Sequence, residues 1–299
     1  MEYIVYQIDS FTKEKFKGNP AGVVINADGL NDTQMQFIAR ELNNSETAFI
    51  FSPNGNDHDI IIRYFTPRIE VPTCGHATIA ALYAKAIKEK LNSWTLRVKT
   101  KIGVLPCEIV EKCGEYQMYM TQGKFEQGSD FVEKDRDLLL NALGLKVDDL
   151  NLQFPILIAS TGHSKVMVGI NSRSKLNSLS PNYSALAEFS KNIECNGYFV
   201  YTFDSDQKDI LTYGRMFAPA IGVNEDPVTG NAYGPLGGYL IQNGIFKPNS
   251  NTFSFKGRQG EAINRLGEIS VDVRLSGSLP EVIRIGGNAV LVFKTIIDL

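Results

Sequence analysis

Arg63-Tyr64-Phe65-Thr66-Pro67, followed by Pro72-Thr73-Cys74-Gly75-His76-Ala77, returns half a chain later. The second copy reads Arg215-Met216-Phe217-Ala218-Pro219, then Asp226-Pro227-Val228-Thr229-Gly230-Asn231-Ala232. The Arg-x-Phe-x-Pro cores lie 152 positions apart (63 to 215), and the glycine steps 155 apart (75 to 230), so the copies differ by a three-residue insertion. Each copy reads as a strand, a proline break, a loop, and a glycine that opens an apolar helix. Two such units predict a duplicated, two-domain protein. A glycine and a small polar residue at a helix start expose backbone N–H groups that no earlier turn satisfies. Such a start attracts a carboxylate or phosphate. Two of them across a cleft predict a clamp for a small anionic molecule.

The flanking sequence fills in an α+β plan. Tyr3 to Ile8 and Ala21 to Ile25 read as strands on either side of a turn at Phe16-Lys17-Gly18-Asn19-Pro20. Asn31-Asp32 caps a helix through Leu42, with Met35, Ile38 and Ala39 on one face. Strands are predicted at Ala48 to Phe51, Ile60 to Phe65, Trp94 to Lys99, Gly103 to Val110 and Tyr116 to Thr121, with a helix from about His76 to Lys90. A polar stretch from Gln122 to Lys134 reads as the linker. The second half repeats the plan, with a helix opened by Ser180-Pro181 and another from about Asn231 to Asn243. Short, hairpin-like connections predict mostly antiparallel sheets without parallel crossovers. The domains are placed at 1–122 with 288–299, and at 127–287. The last strand, Val290 to Ile297, returns to pair with the first domain.

Composition narrows the function. The 299 residues are 43% hydrophobic and 21% charged, with a formal net charge of −3. That balance gives no reason to expect nucleic acid or a membrane as partner, and favours small-molecule chemistry in the cytoplasm. Cys74, Cys107, Cys113 and Cys195 make no CxxC pair and no metal-ligand rhythm with the three histidines, so no metal is expected. The first residues lack the basic and apolar pattern of a signal peptide.

Among titratable residues, Glu46 stands where a polar loop meets an apolar strand, a place suited to a general base. His76 stands at the first repeat's helix start and can offer a hydrogen bond to a ligand there. Asp226 is the carboxylate near the second helix start. Cys74 invites a thiolate or racemase base. Side chains two apart at a helix start are expected to point away from each other, so no Cys–His pair is predicted. A two-base racemase also needs a partner thiol that the second copy lacks.

Several motifs together resemble the phenazine-biosynthesis PhzF-like family, which has the diaminopimelate epimerase fold. They are Phe16-x-Gly18-Asn19-Pro20-Ala21, Ser45-Glu46-Thr47-Ala48-Phe49, Arg63-x-Phe65-Thr66-Pro67, Cys74-Gly75-His76-Ala77-Thr78 and Glu225-Asp226-Pro227-Val228-Thr229-Gly230. The resemblance implies two pseudo-symmetric domains, each a mostly antiparallel, barrel-like sheet around a central helix. It implies a cofactor-independent isomerase, a homodimer, acting on a small cyclic or unsaturated carboxylic acid. Glu46 is then the acid/base, with His76 and Asp226 as catalytic partners. Asn19, Cys74, Gly75, Thr229, Gly230 and Asn231 are then the substrate-binding residues. Asn231 stands where the phenazine-pathway member of the family has a serine, which alters the contact offered to substrate. A Cys74-dependent racemase, a thiol hydrolase and a non-catalytic small-acid binding protein are the competing classes.

Overall fold

The computed structural model describes residues 2–248 and 250–299. The chain divides into two compact units, Met1–Thr121 with Gly286–Leu299, and Gln122–Ile285.

In the first unit, strand Glu2–Ser10 pairs antiparallel with Ala289–Asp298 on one side and Asn19–Val24 on the other. The closing strand thus joins the opening one, as expected. The chain then crosses through helix α1, Asp32–Leu42, and returns as Thr47–Phe51 parallel to Asn19–Val24. Ile60–Phe65 lies antiparallel to that strand. A second crossover, through helix α2 at Gly75–Glu89, brings Trp94–Thr100 parallel to Ile60–Phe65. Antiparallel strands Gly103–Lys112 and Glu115–Thr121 follow. The residues of α2 from Gly75 through Leu82 are all buried, and the helix packs against several strands of the surrounding sheet. A helix apolar on nearly every side is stable only when enclosed in this way. Helix α1 shields the outer face of the sheet, where Met35, Ile38 and Ala39 meet Val5, Val24, Phe49 and Phe65. Asn31 caps it with a reciprocal Asn31–Gln34 box.

The second unit repeats this order. Leu157–Ser160 pairs antiparallel with Lys165–Ile170, and helices α4 (Arg173–Ser178) and α5 (Tyr183–Ile193) cross over to a parallel strand, Tyr198–Thr202. Thr212–Ala218 is antiparallel to it. The enclosed helix α6, Gly230–Gln242, leads to Thr252–Gln259, which is parallel to Thr212–Ala218, and Gly267–Ser276 closes antiparallel. Helix α3, Glu133–Leu143, joins α5 on the outer face against Val166, Val168, Tyr198 and Phe217. Both units are therefore α+β, mostly antiparallel sheets curled round one helix.

Four expectations need correction. Parallel crossovers do occur, two per unit, because the connections through α1, α2, α4–α5 and α6 are long enough to carry a helix. The polar stretch that begins at Gln122 is no spacer. Gln122 donates its backbone N–H to Ile283 O at 2.9 Å, Gly123 to Thr161 O at 3.0 Å and Gly128 to Ile158 O at 2.8 Å, all within the second unit. Helix α3 is an additional element, lying where the sequence pattern predicts no helix. Finally, Ser180-Pro181 does not open α5: Asn182 caps it, accepting from Ala185 N at 3.0 Å.

The repeated Arg-x-Phe motif has the same physics in each unit. Arg63 forms a fork onto Glu70 (2.7 Å and 2.7 Å) and lies over the Phe65 ring. Arg215 forms one onto Glu225 (2.9 Å and 2.7 Å) and lies over Phe217.

The glycines of α6 permit close packing. A side-chain carbon at Gly238 would strike the Phe125 ring, and one at Gly237 would crowd Val271 and Val273. Gly238→Ala is expected to lower stability by about 1–3 kcal/mol through overpacking, despite the better helix propensity of alanine. A thermal or urea midpoint at or above the parent's would refute this. No helix among the described residues is long and apolar enough to cross a membrane.

Candidate active site

In the first unit the start of α2 gathers three of the expected residues. Glu46 ends the loop before strand Thr47–Phe51, and its side chain is 21% exposed. Its Oε2 lies 3.4 Å from Nε2 of His76, which is buried. Ser45 Oγ is 3.2 Å from the same nitrogen. Cys74 Sγ is 3.4 Å from His76 Nδ1, so the expectation that these two side chains point apart is wrong. Cys74 is the N-cap residue, with extended backbone (φ −151, ψ 123), and its side chain can fold back over the first turn. Ser10 Oγ donates to the His76 carbonyl at 2.8 Å and Thr78 Oγ1 to the Cys74 carbonyl at 2.7 Å, which ties the turn to its strand and to its own helix. Asn19 is fully buried and is the register partner of Ser10.

This cluster has two chemical capacities. A half-buried carboxylate beside an imidazole and a hydroxyl can accept and return a proton. The Glu46, Cys74 and His76 donor atoms also lie within 4.8 Å of one another, an O, S and N set of the kind zinc accepts.

In the second unit the equivalent turn is held by residues the motifs did not reveal. Asp226 is buried, and Thr229 Oγ1 donates to its Oδ2. Gln259, itself 1% exposed, donates through Nε2 to the Asp226 carbonyl (2.7 Å) and to Thr229 Oγ1 (3.1 Å), and accepts from Thr229 N–H (3.1 Å). One amide thus fixes both ends of the Asp-Pro-Val-Thr turn. Gln122 does the same for the helix start, donating to the Gly230 carbonyl (3.0 Å) and to Asn231 Oδ1 (3.3 Å), while Thr161 Oγ1 donates to Gln122 Oε1 (2.7 Å). The partners of Gln259 and Gln122 lie tens of residues away, so no local pattern announces them.

Thr229 is the N-cap of α6, as Cys74 is of α2, and neither makes a side-chain cap bond. The backbone N–H groups of Gly230 and Asn231 donate to no acceptor among the described residues. Both helix starts therefore keep donors available to an anion.

A family model for phenazine biosynthesis-like proteins (PhzC-PhzF) matches residues 8–295. An uncharacterised isomerase of Clostridium acetobutylicum is 55% identical over 294 residues, 98% of this chain and 97% of its own. The trans-2,3-dihydro-3-hydroxyanthranilate isomerase of Pseudomonas chlororaphis is 35% identical over 240 residues, 79% of each chain. The crystal structure of a PhzF-family phenazine biosynthesis protein from Bacillus anthracis superposes with a TM-score of 0.91 at 32% identity, covering 100% of both chains. With the motifs, the twice-used fold and these matches in agreement, the chain belongs to the phenazine biosynthesis-like (PhzF) family of isomerases.

Proposed function

We propose that this protein moves a proton between carbon atoms of a small unsaturated carboxylic acid, with Glu46 as the general acid/base. The observation that carries the reading is the Glu46 carboxylate, largely enclosed and 3.4 Å from His76 Nε2, beside a helix start with N–H donors to offer. In the proposed step Glu46 takes a proton from a carbon next to a double bond. The electron pair shifts along the conjugated system, and the same proton is returned to a carbon further along. Substrate and product are isomers at one oxidation level, so the step calls for no oxidant or reductant. His76 holds the carboxylate and the ligand in register, and Asp226 is proposed as a further proton carrier in the same reaction. Trans-2,3-dihydro-3-hydroxyanthranilate, on which the Pseudomonas relative acts, is the first compound to test. Its consumption, followed by proton NMR, is the expected result, and an inert spectrum with it and with related dihydro acids would count against the proposal.

The geometry favours a second reading enough to test it. Cys74 Sγ contacts His76, as a thiol base would. However, the equivalent N-cap in the second unit is Thr229, so a two-thiol racemase lacks its other base. Cys74→Ser is accordingly expected to keep turnover within about tenfold of the parent, a barrier change near 1.4 kcal/mol. Near-complete loss, with the substitution leaving the melting temperature unchanged, would favour the thiol mechanism instead.

A further inference from the structure

Gln259 fixes more than the shape of the Asp226–Thr229 turn. It ends strand Thr252–Gln259, where Gly214 flanks it on one side and Gly267 on the other. The carbonyl of the residue before it, Arg258, accepts from Tyr233 Oη of α6 at 2.6 Å. The residue after it is Gly260, in the left-handed region at φ 87. A side-chain carbon there would strike the carbonyl oxygens of Arg265 and Pro227. The bare glycine lets the strand end press against the turn. The Gln259 amide therefore reaches Asp226 and Thr229 from a rigid base.

Its partners dictate which way the amide faces. A backbone carbonyl can only accept, and a backbone N–H can only donate. The Asp226 carbonyl, at 2.7 Å, must face Nε2, and the Thr229 N–H, at 3.1 Å, must face Oε1. The second Nε2 proton then goes to Thr229 Oγ1, 3.1 Å away. A threonine hydroxyl has one proton of its own. With Oγ1 already receiving from Gln259, that proton is given to Asp226 Oδ2, the other partner of the hydroxyl. The reverse bond, from Asp226 to the hydroxyl, would leave the Thr229 proton without an acceptor among the described residues. All three residues are buried, where an unmade hydrogen bond is costly.

We propose that Gln259 is a positioning residue for Asp226: through the Thr229 hydroxyl it holds the Asp226 carboxyl in one orientation, as a proton acceptor. The inference rests on the isomerase reading for the part Asp226 plays in the reaction. Asp226 then begins each turnover ready to take a proton, and the hydroxyl is kept from turning away. Loss of this relay is expected to lower kcat about 10- to 100-fold, the worth of one hydrogen bond to a charged group.

The relay is read first without turnover, from the proton NMR signal of the Thr229 hydroxyl in the full chain. A buried hydroxyl that donates to a carboxylate is expected at low field and in slow exchange with water. Asp226→Asn, which removes the acceptor's charge, should move that signal upfield. Gln259→Glu keeps an acceptor for the Thr229 N–H but loses both amide donors, and should shift or abolish the signal. No slowly exchanging hydroxyl proton in wild type, or one unmoved by Asp226→Asn or by Gln259→Glu, would overturn the proposal. Turnover of trans-2,3-dihydro-3-hydroxyanthranilate then reads the consequence. Gln259→Glu should lower kcat with KM near the parent's. Thr229→Val should do the same, and it leaves both backbone bonds of Gln259 in place should Gln259→Glu fail to fold. A kcat at the parent's level in either variant, or a loss carried by KM alone, would overturn the proposal. Failure of wild type to consume the compound counts against the isomerase reading alone, and the hydroxyl signal decides the relay in either case.

Discussion

Glu46→Gln is expected to lower turnover by about 10²–10⁴-fold while leaving ligand binding near the parent's, the loss typical of removing a general acid/base. Glutamine keeps the volume and one hydrogen-bonding oxygen, so the 3.4 Å approach to His76 can persist without a proton acceptor. The helix-start donors are untouched by the change. A fall confined to kcat thus separates lost proton transfer from lost binding. His76→Gln is a weaker test, because His76 also contacts Ser45 and Cys74 and its loss disturbs the cluster.

The largest expected effect on stability lies in the second Arg-x-Phe motif. Arg215 and Glu225 are each 7% exposed at the side chain and joined through two hydrogen bonds. Arg215 also donates to the carbonyls of Leu176 (3.1 Å) and Leu179 (2.8 Å) at the end of α4. Glu225→Gln would leave the guanidinium buried without its anion, at a cost of about 3–5 kcal/mol. The matching change in the first unit, Glu70→Gln, should cost less. There Arg63 is 25% exposed and has Asp32 as a second partner at 2.7 Å. The comparison is best made by urea unfolding with separate probes for the two units, which need not unfold as one. Equal losses for the two variants would show that burial does not set the value of this pair.

What the sequence announced was local. The two glycine-led helices, the capped helix α1 and strand Ile60–Phe65 appear because their signals lie within a few residues of one another. The duplication was readable for the same reason, and the structure gives each Arg-x-Phe an acid and a ring to pair with. Helix α3 escaped because Glu133, Lys134 and Asp135 make its first turn look like loop, and Val132 offers no side-chain cap. Its buried face, Leu139, Leu140, Ala142 and Leu143, is meaningful only once α5 is beside it. Gln122 and Gln259 escaped because a glutamine becomes a clamp only through partners distant in the chain. The Cys74–His76 contact depended on the extended backbone of one cap residue, which spacing does not reveal.

The most direct measurement of proton transfer by Glu46 follows carbon-bound hydrogens by NMR in D₂O. Wild-type protein and E46Q are each given a small unsaturated carboxylic acid that raises the melting temperature of both. The expected result is isomer formed by wild type and an unchanged spectrum with E46Q. Isomer formed by E46Q at the wild-type rate would contradict the assignment.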